Sequence, residues 1–157
     1  MGKFDALIAD INVELPQLRK LCGELDSLLK EAESGAPSHP ELRAIGSILH
    51  DYYTGLEKLF ERIALAVDGG LPKGDDWHIQ LLRRMTVAVG DRRPPVLSKE
   101  SGETLAEYLS FRHLFRNIYG FELKWERCRE LAKKLDAVNG SVIDQFERFI
   151  AFLLKIG

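Results

Sequence analysis

Apolar residues recur at intervals of three and four along almost the whole chain, and that period admits helices and little else. Phe4, Leu7, Ile8, Ile11, Leu15, Leu18, Leu21, Leu25 and Leu28 mark a first amphipathic helix. Pro16 sits inside it, removing one backbone donor, and is expected to kink or split the helix near residues 12–16. Ser34-Gly-Ala-Pro-Ser38 reads as a turn. Ser38-x-x-Glu41 reads as a capping box that opens a second helix, whose buried stripe runs Leu42, Ile45, Leu49, Tyr52, Leu56, Leu59, Ile63 and Ala66.

Asp68-Gly-Gly-Leu-Pro-Lys-Gly-Asp-Asp76 is rich in helix breakers and reads as a loop, with Asp76 placed to cap a short third helix from Trp77 to about Val87. Asp91 to Lys99, including Arg92-Arg93-Pro94-Pro95, is a second connection. A fourth helix is expected from about Ser101 to Tyr119, ending at Gly120 in a left-handed cap. The fifth buries Trp125, Cys128, Leu131 and Leu135, and Asn139-Gly140 breaks or bends it before Val142, Phe146, Phe149, Ile150 and Leu153. No strand alternation of useful length and no internal repeat interrupts this pattern. The expectation is all-α, a bundle of five to six helices forming one domain over residues 1–157.

Composition narrows the function classes. With 157 residues the chain can bury a core without staples, and its two cysteines, Cys22 and Cys128, fall on apolar stripes as reduced core residues. No apolar run approaches the roughly 18 residues of a membrane span, and no secretory leader is read at the N-terminus, so cytoplasm is the expected compartment. A formal net charge of -2 argues against a broad nucleic-acid-binding surface but permits a local one. Such a local excess exists, where Arg112, Arg116, Lys124, Arg127 and Arg129 face only Glu122 and Glu126.

The stretch richest in chemistry is Tyr108-Leu-Ser-Phe-Arg112-His113-Leu-Phe-Arg116-Asn117-Ile-Tyr119-Gly120. On a helix Arg112, Arg116 and Tyr119 stack on one face, with His113 and Asn117 as a second pair beside them and Leu105, Leu109, Phe115 and Ile118 pointing elsewhere. Guanidinium forks suit phosphate oxygens and an imidazole can move protons near neutral pH. Other constellations are weaker. The four histidines lack metal-ligand spacing, so no metal and no cofactor is expected. His39 reads as a turn residue, His50 as a surface or satisfied core residue, and His78, beside Trp77, as packing or capping. Asp51, Glu57 and Glu61 read as a solvated helix face. The plain alternative for the Arg112–Tyr119 face is a helix laced by salt bridges to the protein's own acids.

Tyr108-Leu-Ser-Phe-Arg-His-Leu-Phe-Arg-Asn-Ile-Tyr-Gly-Phe-Glu-Leu-Lys-Trp125 resembles the signature of HepT-like proteins of the HEPN superfamily. Tyr53-Thr-Gly-Leu-Glu-Lys-Leu-Phe-Glu-Arg-Ile-Ala64 and Gly74-Asp-Asp-Trp-His-Ile-Gln-Leu-Leu82 look like the helices that precede it, so the likeness covers about residues 40–126. It implies an all-α, HEPN-like bundle that pairs as a homodimer. It also implies a metal-independent endoribonuclease site, built at the dimer interface from Arg-x4-6-His motifs. In the HepT branch the protein is the toxin of a pair whose antitoxin is a minimal nucleotidyltransferase, which attaches AMP to a tyrosine beyond the motif. Carried over, Arg112 is the motif arginine and Tyr119 the modifiable tyrosine.

The motif histidine falls on Asn117, and this departure has chemical weight. An asparagine amide neither takes nor gives a proton near neutral pH, whereas histidine does both. Two readings stay open. In one, Arg112 and Arg116 hold the scissile phosphate of an RNA substrate and His113 carries protons, its ring held by Asn117. Arg112→Ala is then expected to abolish cleavage with fold and dimer intact. In the other, the chain is a non-catalytic helical subunit that docks a nucleotidyltransferase or binds a nucleotide.

Overall fold

The computed structural model describes residues 2–32 and 35–157; Ser34 of the expected Ser34–Ser38 turn lies outside them. Five α-helices follow in order: α1 (Asp5–Glu31), α2 (His39–Ile63), α3 (Trp77–Met85), α4 (Lys99–Arg116) and α5 (Trp125–Ile156). A π-helical turn, Ala64–Asp68, extends α2, and a 3-10 turn, Gly120–Glu122, joins α4 to α5. The expected all-α bundle of five to six helices is therefore what the chain forms. Among the described residues the sole β feature is one isolated antiparallel bridge between Val89 and Arg93.

Neither Pro16 nor Asn139-Gly140 splits its helix. α1 runs unbroken through Pro16, because Pro16 and Asn12, whose carbonyl loses its partner there, both lie on the exposed side. Ile11, Leu15, Leu18, Cys22 and Leu25 meanwhile stay buried on the other face, and that packing outweighs one lost hydrogen bond. α5 likewise runs through Asn139-Gly140. Asn139 is buried and accepts a 2.9 Å hydrogen bond from the Tyr52 hydroxyl, which satisfies its amide oxygen inside the core.

Other differences are local. The capping box forms as read: Ser38 N–H donates to Glu41 Oε1 at 2.8 Å and Glu41 N–H to Ser38 Oγ at 3.3 Å. The Ser38 backbone N–H and then its hydroxyl hold the Glu41 carboxyl below its ordinary range. At the far end of α2 the π-turn adds a residue to the helical period, so Ala64 and Val67 are buried while Ala66 is exposed. Asp76 does not cap α3; its carboxylate instead accepts from Gln80 Nε2 at 3.0 Å. α4 stops at Arg116, and Gly120 enters the 3-10 turn without positive φ. The side chain of Arg43 lies so close over Gly120 that a Cβ there would meet its Nε at 2.6 Å.

The helices share one apolar core. Cys22 and Cys128 are free thiols within it, and burial pushes each up to about 11. α4 is pinned to α5 by the buried Tyr108 hydroxyl, which donates to the Leu131 carbonyl at 2.8 Å. The end of α4 is pinned to α2 at Gly46, where a Cβ would meet Phe115 Cε1 at 2.6 Å and Leu123 Cδ2 at 2.7 Å. No helix among the described residues is long and apolar enough to cross a membrane.

One buried charge holds the connections together. The side chains of Arg93 and Asp68 are 0% and 1% exposed. Arg93 Nε donates to Asp68 Oδ1 at 2.7 Å and Nη2 to Oδ2 at 2.9 Å, a bidentate pair. Its remaining N–H groups reach the carbonyls of Val87, Pro94 and Arg84. The loop after α2 is thereby fastened to the segments flanking α3.

Candidate functional site

The core-facing side of α4 is broader than the expected stripe. Gly102, Leu105, Tyr108, Phe111 and Arg112 are buried, whereas Leu109, Phe115 and Ile118 are only half-buried. Arg112 therefore points inward, at 3% exposure. Glu57, read from sequence as a solvated residue, is buried beneath it. Arg112 Nη2 donates to both carboxylate oxygens, at 2.9 and 3.0 Å, and Nη1 donates to Thr54 Oγ1 at 3.3 Å. The guanidinium carbon stands 5.0 Å from the centre of the Tyr53 ring, a cation–π contact.

α3 brings an imidazole to the same carboxylate. His78 Nδ1 is 2.8 Å from Glu57 Oε2. A carboxylate oxygen only accepts, so Nδ1 carries the proton and donates. Arg112 Nη2, 3.2 Å from that nitrogen, is a second donor converging on Glu57. The Trp77 ring lies against that of His78, tilted by 30° with centroids 3.8 Å apart. One turn further along α4, Arg116 Nε donates to His50 Nε2 at 3.0 Å, so the His50 proton sits on Nδ1 and is given to Asp51 Oδ1 at 3.1 Å.

The α2–α4 seam thus carries two arginine–imidazole–carboxylate groups. His50, Thr54, Glu57 and Glu61 occupy one helical row of α2, at i, i+4, i+7 and i+11. Arg112 and Arg116 line up opposite. Glu61 is half-buried at the end of the row, and its carboxyl is raised above its ordinary range, first by burial and next by the charge of Glu57. Among the described residues the Tyr53 hydroxyl is buried without a partner, and burial pushes it well above its usual value.

The residues picked from sequence divide between the interior and the surface. Arg112 is inside, while His113, Arg116, Asn117 and Tyr119 are exposed. Asn117 Nδ2 donates to the His113 main-chain carbonyl at 2.7 Å, so the amide closes the end of α4 and does not hold the imidazole ring. His113 makes no side-chain hydrogen bond among the described residues. Tyr119, 71% exposed, stacks parallel on Phe121 with centroids 5.2 Å apart. His39 opens α2, and its Nε2 is 3.1 Å from the Phe121 carbonyl.

The model of the HepT-like protein family matches residues 44–153. The chain belongs to that family. No curated protein and no solved structure matches it. As a HepT-like member of the HEPN superfamily it has the all-α bundle that the resemblance implied. The matched span contains the whole polar seam, from His50 on α2 through His78 on α3 to Arg116 on α4. Sequence reasoning reached Arg112 and Arg116 but missed Glu57 and His78 as their neighbours. The signal was the polar row at helical spacing on α2, set among Tyr52, Tyr53, Leu56 and Phe60. Among the described residues, no three His, Cys, Asp or Glu side chains gather as ligands for an ion.

Proposed function

We propose that this HepT-like protein is the toxin of a toxin–antitoxin pair, a metal-independent endoribonuclease working at the interface of a homodimer in the cytoplasm. Its antitoxin is a minimal nucleotidyltransferase. The observation that carries this reading is the register of Arg112 and Arg116 with His78 and His50 along one seam. Cleavage of a phosphodiester needs cations for the charge on phosphorus-bound oxygens and a group that moves a proton. Arg116 is exposed and, among the described residues, spends only Nε on His50, which leaves its terminal N–H groups for a phosphate. Arg112 acts behind it by fixing Glu57. Tyr119, with its phenol in solvent, is open to modification, and an AMP there adds bulk and negative charge to the segment that follows Arg116.

The test is cleavage of a labelled single-stranded RNA by the purified protein in EDTA, with Arg116→Ala as the control. Loss of cleavage in a variant that still elutes as a dimer supports the reading. Equal rates in the two proteins refute the assignment of Arg116.

Two observations favour a second reading. Glu57 already neutralises Arg112, and Asn117 stands where the family motif has histidine. A helical subunit that docks the nucleotidyltransferase without cutting RNA fits both facts. It predicts a stable complex with that enzyme and an RNA that survives the EDTA assay intact.

A further inference from the structure

We propose that His78 is the proton-carrying catalytic residue of this site, oriented by Glu57 and acting through Nε2 on the ribose 2′-oxygen of a single-stranded RNA. The proposal rests on the ribonuclease reading above and supplies the group that Asn117 cannot.

Three features of the imidazole carry it. Glu57 has a full counter-charge in Arg112, which reaches both of its oxygens, so the fold does not require His78 to neutralise that carboxylate. Nδ1–H donates to Glu57 Oε2, which leaves the lone pair of the neutral ring on Nε2, directed away from the carboxylate. The His78 side chain is 36% exposed where that of Glu57 is 7%, so the ring stands at the mouth of the seam with its acid behind it.

The other histidines lack this combination. His50 has its Nε2 occupied by Arg116. His39 donates through Nε2 to the Phe121 carbonyl at the start of α2, away from the arginines. His113 is exposed with no group to orient its ring. Among the described residues His78 is the imidazole that joins a carboxylate on one nitrogen to an open second nitrogen, the geometry of an oriented general base.

In the step itself, His78 Nε2 takes the proton of the 2′-hydroxyl as that oxygen bonds to phosphorus. The bond from phosphorus to O5′ breaks, and O5′ takes a proton from water. The products are a 2′,3′-cyclic phosphate and a 5′-hydroxyl, and the imidazolium returns its proton to solvent. No oxidant, metal or third reactant enters.

The experiment compares wild type, His78→Ala and His78→Gln on a fluorescent single-stranded RNA in EDTA, with and without free imidazole in the buffer. Glutamine keeps a donor for Glu57 but cannot carry a proton, so it covers the case in which alanine disturbs the fold. Expected are falls in kcat of about 100-fold or more in both variants with KM little changed. Imidazole is expected to restore part of the alanine variant's rate, which a purely structural role would not allow. Wild-type cleavage with rates in folded variants within about twofold overturns the role of His78 and leaves the ribonuclease reading standing. An RNA that wild type leaves intact overturns both.

Discussion

Arg112 Nη2 and Glu57 Oε1 meet at 2.9 Å with both side chains nearly sealed from solvent. A guanidinium so placed is a structural charge as well as a functional one. Removing it leaves a carboxylate buried beside one imidazole, and breaking a buried pair by deleting one partner costs about 3–5 kcal/mol. Arg112→Ala is therefore expected to lower the urea midpoint substantially, contrary to the sequence-based expectation of an intact fold. An unfolding curve that overlays wild type would show that Glu57 finds another partner.

Arg116→Ala should behave differently, because the side chain is exposed and its one bond is to His50. Its effect on stability is expected to stay within about 0.5 kcal/mol. Binding of a short RNA should weaken and should depend less steeply on salt, since one phosphate contact is lost. Fluorescence anisotropy over a salt series measures this, and an unchanged slope would argue against a phosphate at Arg116.

Asn117→His restores an imidazole at the exposed end of α4. RNA cleavage in EDTA is expected to rise by about 10-fold or more, in the range a positioned general acid or base provides. No gain in a folded dimer would remove position 117 from the active surface.

Gly46→Ala tests whether the end of α4 is held as closely to α2 as the packing indicates. The new methyl would overlap Phe115 and Leu123, and overpacking of this kind costs about 1–3 kcal/mol. The same variant should shift the Arg116–His50 contact, visible as a change in the His50 ring resonances. A neutral outcome in both would mean that the two side chains simply rotate aside.

Cys22 and Cys128 are pushed up to about 11, by burial first. At neutral pH the thiolate fraction is then very small in the folded protein. A thiol-reactive chromophore should label neither cysteine until denaturant is added, and labelling should quicken as pH rises toward that value. Prompt modification of the native protein at neutral pH would contradict the burial of both sulfurs.

Much of the fold was legible because α1, α2 and α5 each bury one regular stripe, and because Ser38 and Glu41 stand at the spacing of a reciprocal cap. The misreadings share one cause, which is that contacts distant in sequence overrule local signals. Asn139 stays helical because Tyr52, on another helix, takes up its amide oxygen. Glu57 looked like a surface acid because its partners lie 55 and 21 residues away, on α4 and α3. The arginines of the site were readable from a compact motif, but the imidazole beside Arg112 was not. No local pattern tells which way a short helix such as α3, tethered by two irregular connections, will present His78.

Arg93 therefore governs more than the segment in which it sits. Gripping Asp68 on one side and the Arg84 carbonyl of α3 on the other, it acts as a buckle between the end of α2 and the end of α3. Slack at that fastening would displace an imidazole without any change among the residues it touches, so a substitution remote from the seam can silence it.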